Sequence, residues 1–514
     1  MLQHRFKYLA VAGLAVTALT VQPAIAQKSK DIMRFGINDP FSSLDSYHVP
    51  HEETGLFTRV MYGVLLVYDE HQGKFLPELA KSWKQIDAKT YEFELRDDVY
   101  FHSGNKFTSE DVKHTIEYIG NPKVKIRFKR RYSWVKDVEI LGPYKLRIVA
   151  KQPRATALSS IAYRFRIYDS KIHKGLKTLA DQAAYGRVSA SSTGPYKLVS
   201  LDKKGVVIER FKKYHGSAHR RAPTNRVFGR FIPDKQSQKA ELLTGGLDLM
   251  RDITADDERL LASNTDLRIS STSSKQIMYI TMDAAGRSAN KAMTDIRVRQ
   301  ALMKSIDRER LINTFVAGGK SAERPNRVCF KLTVACNPTT KPLGYDPAGA
   351  KKLLAEAGYA NGLSIKLNAY APIKNIAVAV AGDLRKVGIK ASIEPLPLMV
   401  YVKKRGAGKF TAFLGKYPTA AQPDTENLLN FFFGANRDYY KDPLINGAAK
   451  KGSTEFDVKK RAAFYTPALD QVNKMSFIYP LTEVPVVFAH TKEVEIKPNL
   501  QSSGEIRVGD FFWK

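Results

Sequence analysis

LSIKLNAYAPIKNIAVAVAGDLRKVGIKASI, residues 363–393, contains a complete strand–helix–strand unit. Leu363 to Leu367 reads as a strand. Ile376 to Val387 reads as a helix that stops at Gly388, where a residue without a Cβ can turn the chain. Ile389 to Ile393 is the next strand. Two strands joined through a helix within about 30 residues form a βαβ unit, which closes right-handed and pairs its strands in parallel.

Upstream, Asp346-Pro347 supplies an N-cap followed by proline at the first helical position. Leu353, Leu354 and Ala357 give that helix its apolar stripe, and Gly358 ends it. Nearer the N-terminus, Tyr91, Phe93 and Leu95 alternate with Glu92, Glu94 and Arg96, the period of a half-buried strand. Thr108 starts a helix, with Asp111 completing an acidic capping box and Val112, Ile116 and Ile119 on one face. Val138 to Ile140 and Leu146 to Val149 are two strands joined through Gly142-Pro143. Strand and helix patterns alternate along the chain, so the fold class is α/β.

The chain has 514 residues, enough for about three domains of ordinary size. Hydrophobic residues are 43% and charged residues 26%, which excludes a wholly disordered chain. No low-complexity linker divides residues 28–514. The formal charge is +31, which favours anionic partners. Arg5 and Lys7 precede an apolar run from Leu9 to Val21, and Pro23-Ala24-Ile25-Ala26 follows as a cleavage pattern. Residues 1–26 therefore read as a secretory signal peptide. No cysteine stands at or just after that point, so a lipid anchor is not indicated. Removing the segment takes away Arg5 and Lys7 and no acid, leaving +29. Export lowers the nucleic-acid reading of this charge.

Catalytic and cofactor motifs are mostly absent. His51-Glu52-Glu53-Thr54-Gly55 starts like a zinc-protease helix, but Gly55 stands where a second histidine is needed. Gly319-Lys320-Ser321 ends like a phosphate-binding loop whose first glycine is replaced by Thr314. These absences favour a binding protein over an enzyme, with no cofactor and no metal. Cys329 and Cys336 flank six residues. In an oxidising compartment they read as one disulfide pinning a loop, worth roughly 2–3 kcal/mol in the chain-entropy model. Free thiols or metal ligands are the alternative. Lys123 to Lys136 holds seven basic residues with Phe128, Tyr132 and Trp134 among them. It reads as a solvated basic face, with attraction to an anionic surface or to nucleic acid as the alternatives.

Several ordered stretches resemble one family. FLPELAKSWK (Phe75 to Lys84) and TYEFELRDDVYFHSGNKFTSEDVKHTIEYI (Thr90 to Ile119) are similar to the signature of family 5 extracellular solute-binding proteins. These are the oligopeptide, dipeptide and nickel type of ABC importer substrate-binding protein. SLDSYH (Ser43 to His48), STGPYKL (Ser192 to Leu198) and ERFKKYHG (Glu209 to Gly216) follow in the family's order. So do DIRVRQALMKSIDRERLI (Asp295 to Ile312), GYDPAGAKKLLAEAGY (Gly344 to Tyr359) and LRKVGIKASIE (Leu384 to Glu394).

The resemblance implies a two-lobed periplasmic-binding-protein (venus flytrap) fold. Lobe I would span 27–270, with an extra subdomain at about 75–190. Lobe II would span 271–485, and residues 486–514 would return to lobe I. It implies a periplasmic monomer that encloses a peptide or peptide-like solute and presents it to an inner-membrane permease. An exported basic wall- or surface-associated protein with no transport role is the other reading.

Carried over by position, the ligand segments are Val49-Pro50-His51-Glu52 in lobe I, expected to be extended, and Leu398 through Arg405 to Asp424 in lobe II. His48 and His51 could hold a metal chelate or haem, or make ordinary hydrogen bonds. Gly415-Lys416-Tyr417 stands where peptide binders place Gly-Trp followed by an aspartate for the peptide's amino group. Lys416 replaces the tryptophan and no acid follows; Asp424 could substitute through a shifted loop. Leu398 stands where peptide binders often have tryptophan, and Arg405 matches a basic position. Lys416 and Arg405 in a cleft favour a carboxylate, phosphate or sulfate. The implied ligand is then anionic or blocked: an acidic peptide, an opine-like conjugate or a sugar acid.

Overall fold

The computed structural model describes residues 28, 30–49, 52–69, 72–126, 128–188, 190–217, 219–330, 333–418, 424–497 and 506–514. The expected signal peptide, Pro50 and His51 lie outside them. The βαβ unit is present. Leu363–Tyr370 pairs in parallel with Ile389–Leu396, and the helix between them is Lys374–Lys386. Gly388 has φ +94°, the left-handed backbone that lets the chain turn directly from helix into strand.

These strands form one end of a ten-stranded sheet. From that end its order is Ile389–Leu396, Leu363–Tyr370, Ala412–Pro418, Leu267–Met282, Ile478–Thr491, Leu249–Arg251, Ile32–Ile37, Arg226–Phe231, Gly205–Arg210 and Tyr196–Asp202. The two long strands in the middle are antiparallel and belong to both halves. Their register breaks between Ser273 and Ile277. Before the break, Leu267 to Ser273 pair with Thr491 back to Pro485; after it, Ile277 to Thr281 pair with Glu483 back to Ile478.

The apolar cores follow the same division. Ile478, Tyr479 and Leu481 enter two cores shared with strands 363–370 and 412–418. Val486 and Phe488 instead join Met33, Phe35 and Val206, while Val487 and Ala489 pack with Leu242, Leu247 and Met250. One strand thus contributes its first half to one body and its second half to another, with the register break between them. A bulge at such a place bends the ladder locally.

A separate four-stranded sheet carries Ala80–Gln85, Thr90–Leu95, Lys145–Ala150 and Val135–Gly142 in that order. Tyr91, Phe93 and Leu95 are buried as the alternation predicts. Glu92, on the other face, is also buried, under Lys84, Lys145 and Arg147. Lys145 above all, aided by Lys84 and Arg147, holds its carboxyl down at about 2. Helix Ser109–Gly120 starts at Thr108 with the expected capping box, the Thr108 amide donating to Asp111 Oδ2 at 2.8 Å. Such a cap contributes about 1 kcal/mol. Helix Pro347–Glu356 is capped by Asp346, whose Oδ1 accepts from the Gly349 amide at 2.9 Å.

The basic stretch 123–136 is not an aromatic platform. Tyr132 and Trp134 are buried, Trp134 stacked on Phe165 with centroids 5.8 Å apart, and only Phe128 is exposed. Bases cannot stack on rings already packed into a core. Among the described residues, no helix is long and apolar enough to cross a membrane.

Candidate functional site

Strand Ala412–Pro418 alternates its faces, so neighbouring Lys416 and Tyr417 part company. Tyr417 is buried against Phe431 and Phe432, with centroids at 4.7 and 5.4 Å, and its hydroxyl accepts from Asn427 Nδ2 at 3.3 Å. Lys416 lies on the opposite face, half-buried and level with Met278, just past the register break of the shared strands. Gly415 permits this: a Cβ there would stand 2.7 Å from the hydroxyls of both Tyr279 and Tyr401.

Within electrostatic reach of Lys416, from the other half, is Asp252, directly after strand Leu249–Arg251 and in left-handed backbone at φ +55°. Its carboxylate takes Arg251 Nε at 2.7 Å. Burial pushes its pKa upward, but Arg251, Lys235 and Lys416 together hold it below the usual aspartate value. Arg251 also reaches buried Glu53 at 3.3 Å, and Lys235 Nζ donates to the Arg251 carbonyl at 2.7 Å. The cation expected to meet a ligand therefore has an acid of its own protein opposite it. Asp252 carries no sequence motif; only the pairing of Arg251 with Phe488 beside the shared strands brings it to this position.

Arg405 has a different setting. It lies on helix Leu398–Gly406 and is buried. Its guanidinium carbon sits 4.5 Å from the Phe431 ring centroid, 5.6 Å from Phe413 and 5.8 Å from Phe432. Nη2 donates to the Phe431 carbonyl at 3.1 Å, and Nε has no hydrogen-bond partner. Among the described residues no carboxylate forms an ion pair with it. Arg437 approaches the same Phe431 ring at 5.5 Å. Burial, then the charges of Arg405 and Arg131, depress the Arg437 pKa. Since Arg131 belongs to the first half of the chain, positive groups gather where the halves meet. Arg164 shows the same field: burial, with Arg131 and then Arg154 adding repulsion, brings it down to about 9.

Asp424 is occupied within its own half. It caps helix Thr425–Phe433 through the Glu426 amide at 2.9 Å and meets Arg461 Nη2 at 2.9 Å. Burial raises its pKa to about 6, outweighing the attraction of Arg461. Cys329 and Cys336 form a disulfide. Val334, inside that loop, bridges to Asp424, and its carbonyl accepts from the Thr425 amide at 3.1 Å and Thr425 Oγ1 at 2.9 Å. The disulfide loop thus braces the turn that carries Asp424.

At the two ends of the segment expected to be extended, Val49 closes a turn and Glu52 opens helix Glu52–Met61; Pro50 and His51 lie outside the described residues. The Val49 amide donates to the Asp45 carbonyl at 2.8 Å, and Glu52 opens the helix. With its amide closed by that bond, Val49 is not free to pair with a ligand as a strand residue. His48 Nδ1 is 3.0 Å from Asp45 Oδ2 and Nε2 is 3.2 Å from the Tyr118 hydroxyl, so both ring nitrogens are engaged internally. Asp45 also accepts from the Tyr168 hydroxyl at 2.6 Å. Among the described residues no three His, Cys, Asp or Glu side chains form a metal-binding group. Leu398 is 46% exposed and begins a helix whose Met399, Val400 and Val402 are exposed too.

The comparisons agree with this architecture. A family model described as "Bacterial extracellular solute-binding proteins, family 5 Middle" matches residues 74–440. Glutathione-binding protein GsiB of Salmonella typhi is 25% identical over 510 residues, covering 95% of each chain. NikA from Brucella suis, solved with Fe(III)-EDTA, superposes at TM-score 0.82 with 22% identity over 94% of this chain and 100% of that one. AgaA from A. tumefaciens R10, solved with agropinic acid, gives 0.73 with 22% identity over 94% and 99%. The two lobes meet at the shared strands; Lys416 and Asp252 are one electrostatic pair between the halves of the chain, and Arg437 and Arg131 are another. The chain belongs to the family 5 bacterial extracellular solute-binding proteins, the substrate-binding components of ABC importers rather than enzymes.

Proposed function

We propose that this protein captures an acidic, peptide-like solute in the periplasm and delivers it as a monomer to an inner-membrane permease. The carrying observation is Arg405: a buried guanidinium held by three phenylalanine rings and one carbonyl, with no acid paired to it among the described residues. Cation–π contacts offset part of its desolvation, and an anion in the cleft would offset more. Arg437 beside it adds a second donor group for a carboxylate.

The relatives named for glutathione support the same class, since glutathione is a peptide-like molecule with two carboxylates. In this reading the lobes are 27–270 and 271–485, with 486–514 returning to lobe I, and they close about the register break at Ser273–Ile277. Closure requires the carboxylate to replace the water lost from Arg405 and Arg437. Lys416 plays the smaller part, because Asp252 already faces it. Asp424 is held by Arg461, so an α-amino group of the ligand would have to compete for it.

The test is native mass spectrometry on the mature protein as purified, followed by release of any bound molecule and titration with glutathione. An acidic conjugate or acidic short peptide is the expected cargo. A neutral or basic peptide bound through its free amino group would reject the reading.

A further inference from the structure

A pocket of about 410 Å³ opens between the small four-stranded sheet and lobe II, away from Arg405 and Lys416. One wall is Trp134, Lys151 and Arg154; the other is Glu426, Asn430 and Lys450. Trp134 and Lys151 sit at the ends of paired strands and are tied by the Lys151 amide donating to the Trp134 carbonyl at 2.9 Å. Opposite them, Asn430 lies on helix Thr425–Phe433 and Lys450 on helix Pro443–Gly452.

The polar inventory is one-sided. Three cations face a single acid, and that acid is satisfied. Glu426 Oε2 accepts from Thr156 Oγ1 at 2.8 Å, and Oε1 accepts from Asn430 Nδ2 at 3.4 Å. The donors are not satisfied. Arg154 Nε and Trp134 Nε1 are enclosed and make no hydrogen bond, and Trp134 is only 8% exposed. The Arg154 guanidinium rests 5.7 Å from the Trp134 ring, which fixes it at the mouth of the pocket. Enclosed donors without acceptors cost free energy that an anionic acceptor would return.

We propose that this pocket is a second anion site, taking a small oxyanion such as phosphate or a carboxylate against Arg154, Lys151 and Lys450. Its walls come from both lobes, so a bound anion ties them together. The main chain already crosses here, with the Ala155 amide donating to the Ser453 carbonyl at 3.1 Å. Thr156 to Glu426 is a second cross-lobe bond at the same edge. An oxyanion would add charge-assisted bonds to this seam and favour the closed form.

Inorganic phosphate titrated into the ligand-free mature protein at low salt, followed by calorimetry and phosphorus NMR, tests the site. Wild type should bind phosphate. Lys450→Gln, on an exposed side chain, should weaken it at least threefold, and Arg154→Gln with Lys450→Gln at least tenfold. Lys390→Gln, at an exposed lysine of strand Ile389–Leu396 outside both sites, should leave phosphate affinity within twofold. Two sources can supply the oxyanion. Phosphate displaced when glutathione fills the cleft assigns the position to the cargo's own carboxylate; phosphate retained assigns it to a free anion. Either outcome upholds the site. Phosphate binding that survives Lys450→Gln and Arg154→Gln, or that is equally lost in Lys390→Gln, overturns it, as does no binding at all. Solution scattering that shows no compaction on saturation with phosphate overturns the bridging role.

Discussion

Three cations between residues 405 and 461 are each answered differently. Arg461 meets Asp424 inside its own lobe at 2.9 Å. Lys416 has Asp252 facing it from the other lobe. Arg405 has aromatic rings and one carbonyl. A charge answered within one lobe serves that lobe's stability. A charge answered across the cleft serves closure. A buried charge that no acid answers among the described residues is the one we propose for a ligand. Position in the sequence ranks Lys416 and Arg405 equally; their surroundings separate them.

The comparison can be broken most severely at Arg461. Replacing it with Met leaves Asp424 buried without its partner, and losing one member of a buried pair costs about 3–5 kcal/mol. Urea unfolding should show that loss at pH 8. It should shrink at pH 5, because Asp424 titrates at about 6 and can take a proton instead. The sign follows from a folded-state pKa raised above 3.8. The protonated folded form is favoured at low pH, and that advantage fades as pH rises from about 4 to about 6. An equal loss at both pH values would show that Asp424 is not the group left exposed to the defect. Reducing Cys329–Cys336 attacks the same turn from its brace, through Val334 and Thr425, and should cost about 2–3 kcal/mol. Unfolding midpoints with and without reductant measure it.

Arg405 comes next. Arg405→Met should lower affinity for glutathione or another acidic probe at least tenfold, about 1.4 kcal/mol. Because the site is buried, Arg405→Lys serves as a control that keeps the charge but loses the planar fork. Its affinity should fall between the two. Unchanged calorimetric affinity in the Met variant would remove Arg405 from the ligand site.

Much of the fold is legible in the chain. Leu363 to Ile393 reads directly as βαβ because periodicity, Gly388 and apolar spacing all act locally. Thr108-Asp111 and Asp346-Pro347 read as caps because a cap is a contact over three residues. The stretch 43–52 was legible only as a family position. The extended form expected from Val49 onward gives way, at Val49 itself, to a turn because the Val49 amide finds the Asp45 carbonyl, and Asp45 in turn gathers Tyr47, His48 and Tyr168. Nothing local signals Asp252 or Arg154. The first is placed by the pairing of Arg251 with Phe488, the second by a pocket whose opposite wall is Glu426, Asn430 and Lys450. Contacts made at more than two hundred residues' separation leave no pattern in a single sequence.

The smallest expected effect sharpens the comparison most. Lys416→Met removes a cation that Asp252 already faces, so affinity for an acidic probe should fall only two- to threefold, about 0.4–0.6 kcal/mol. Asp252→Asn should act in the opposite direction. With its acid neutralised, Lys416 is free to meet a ligand carboxylate, and affinity for the acidic probe should rise by a similar factor while affinity for a cationic peptide falls. The double variant isolates the coupling. If Lys416 speaks mainly to Asp252, the effect of Lys416→Met should depend on whether Asp252 is present. If the two substitutions add without interaction, Lys416 meets the ligand independently, and the distinction between a cation that serves closure and one that serves recognition fails for this pair.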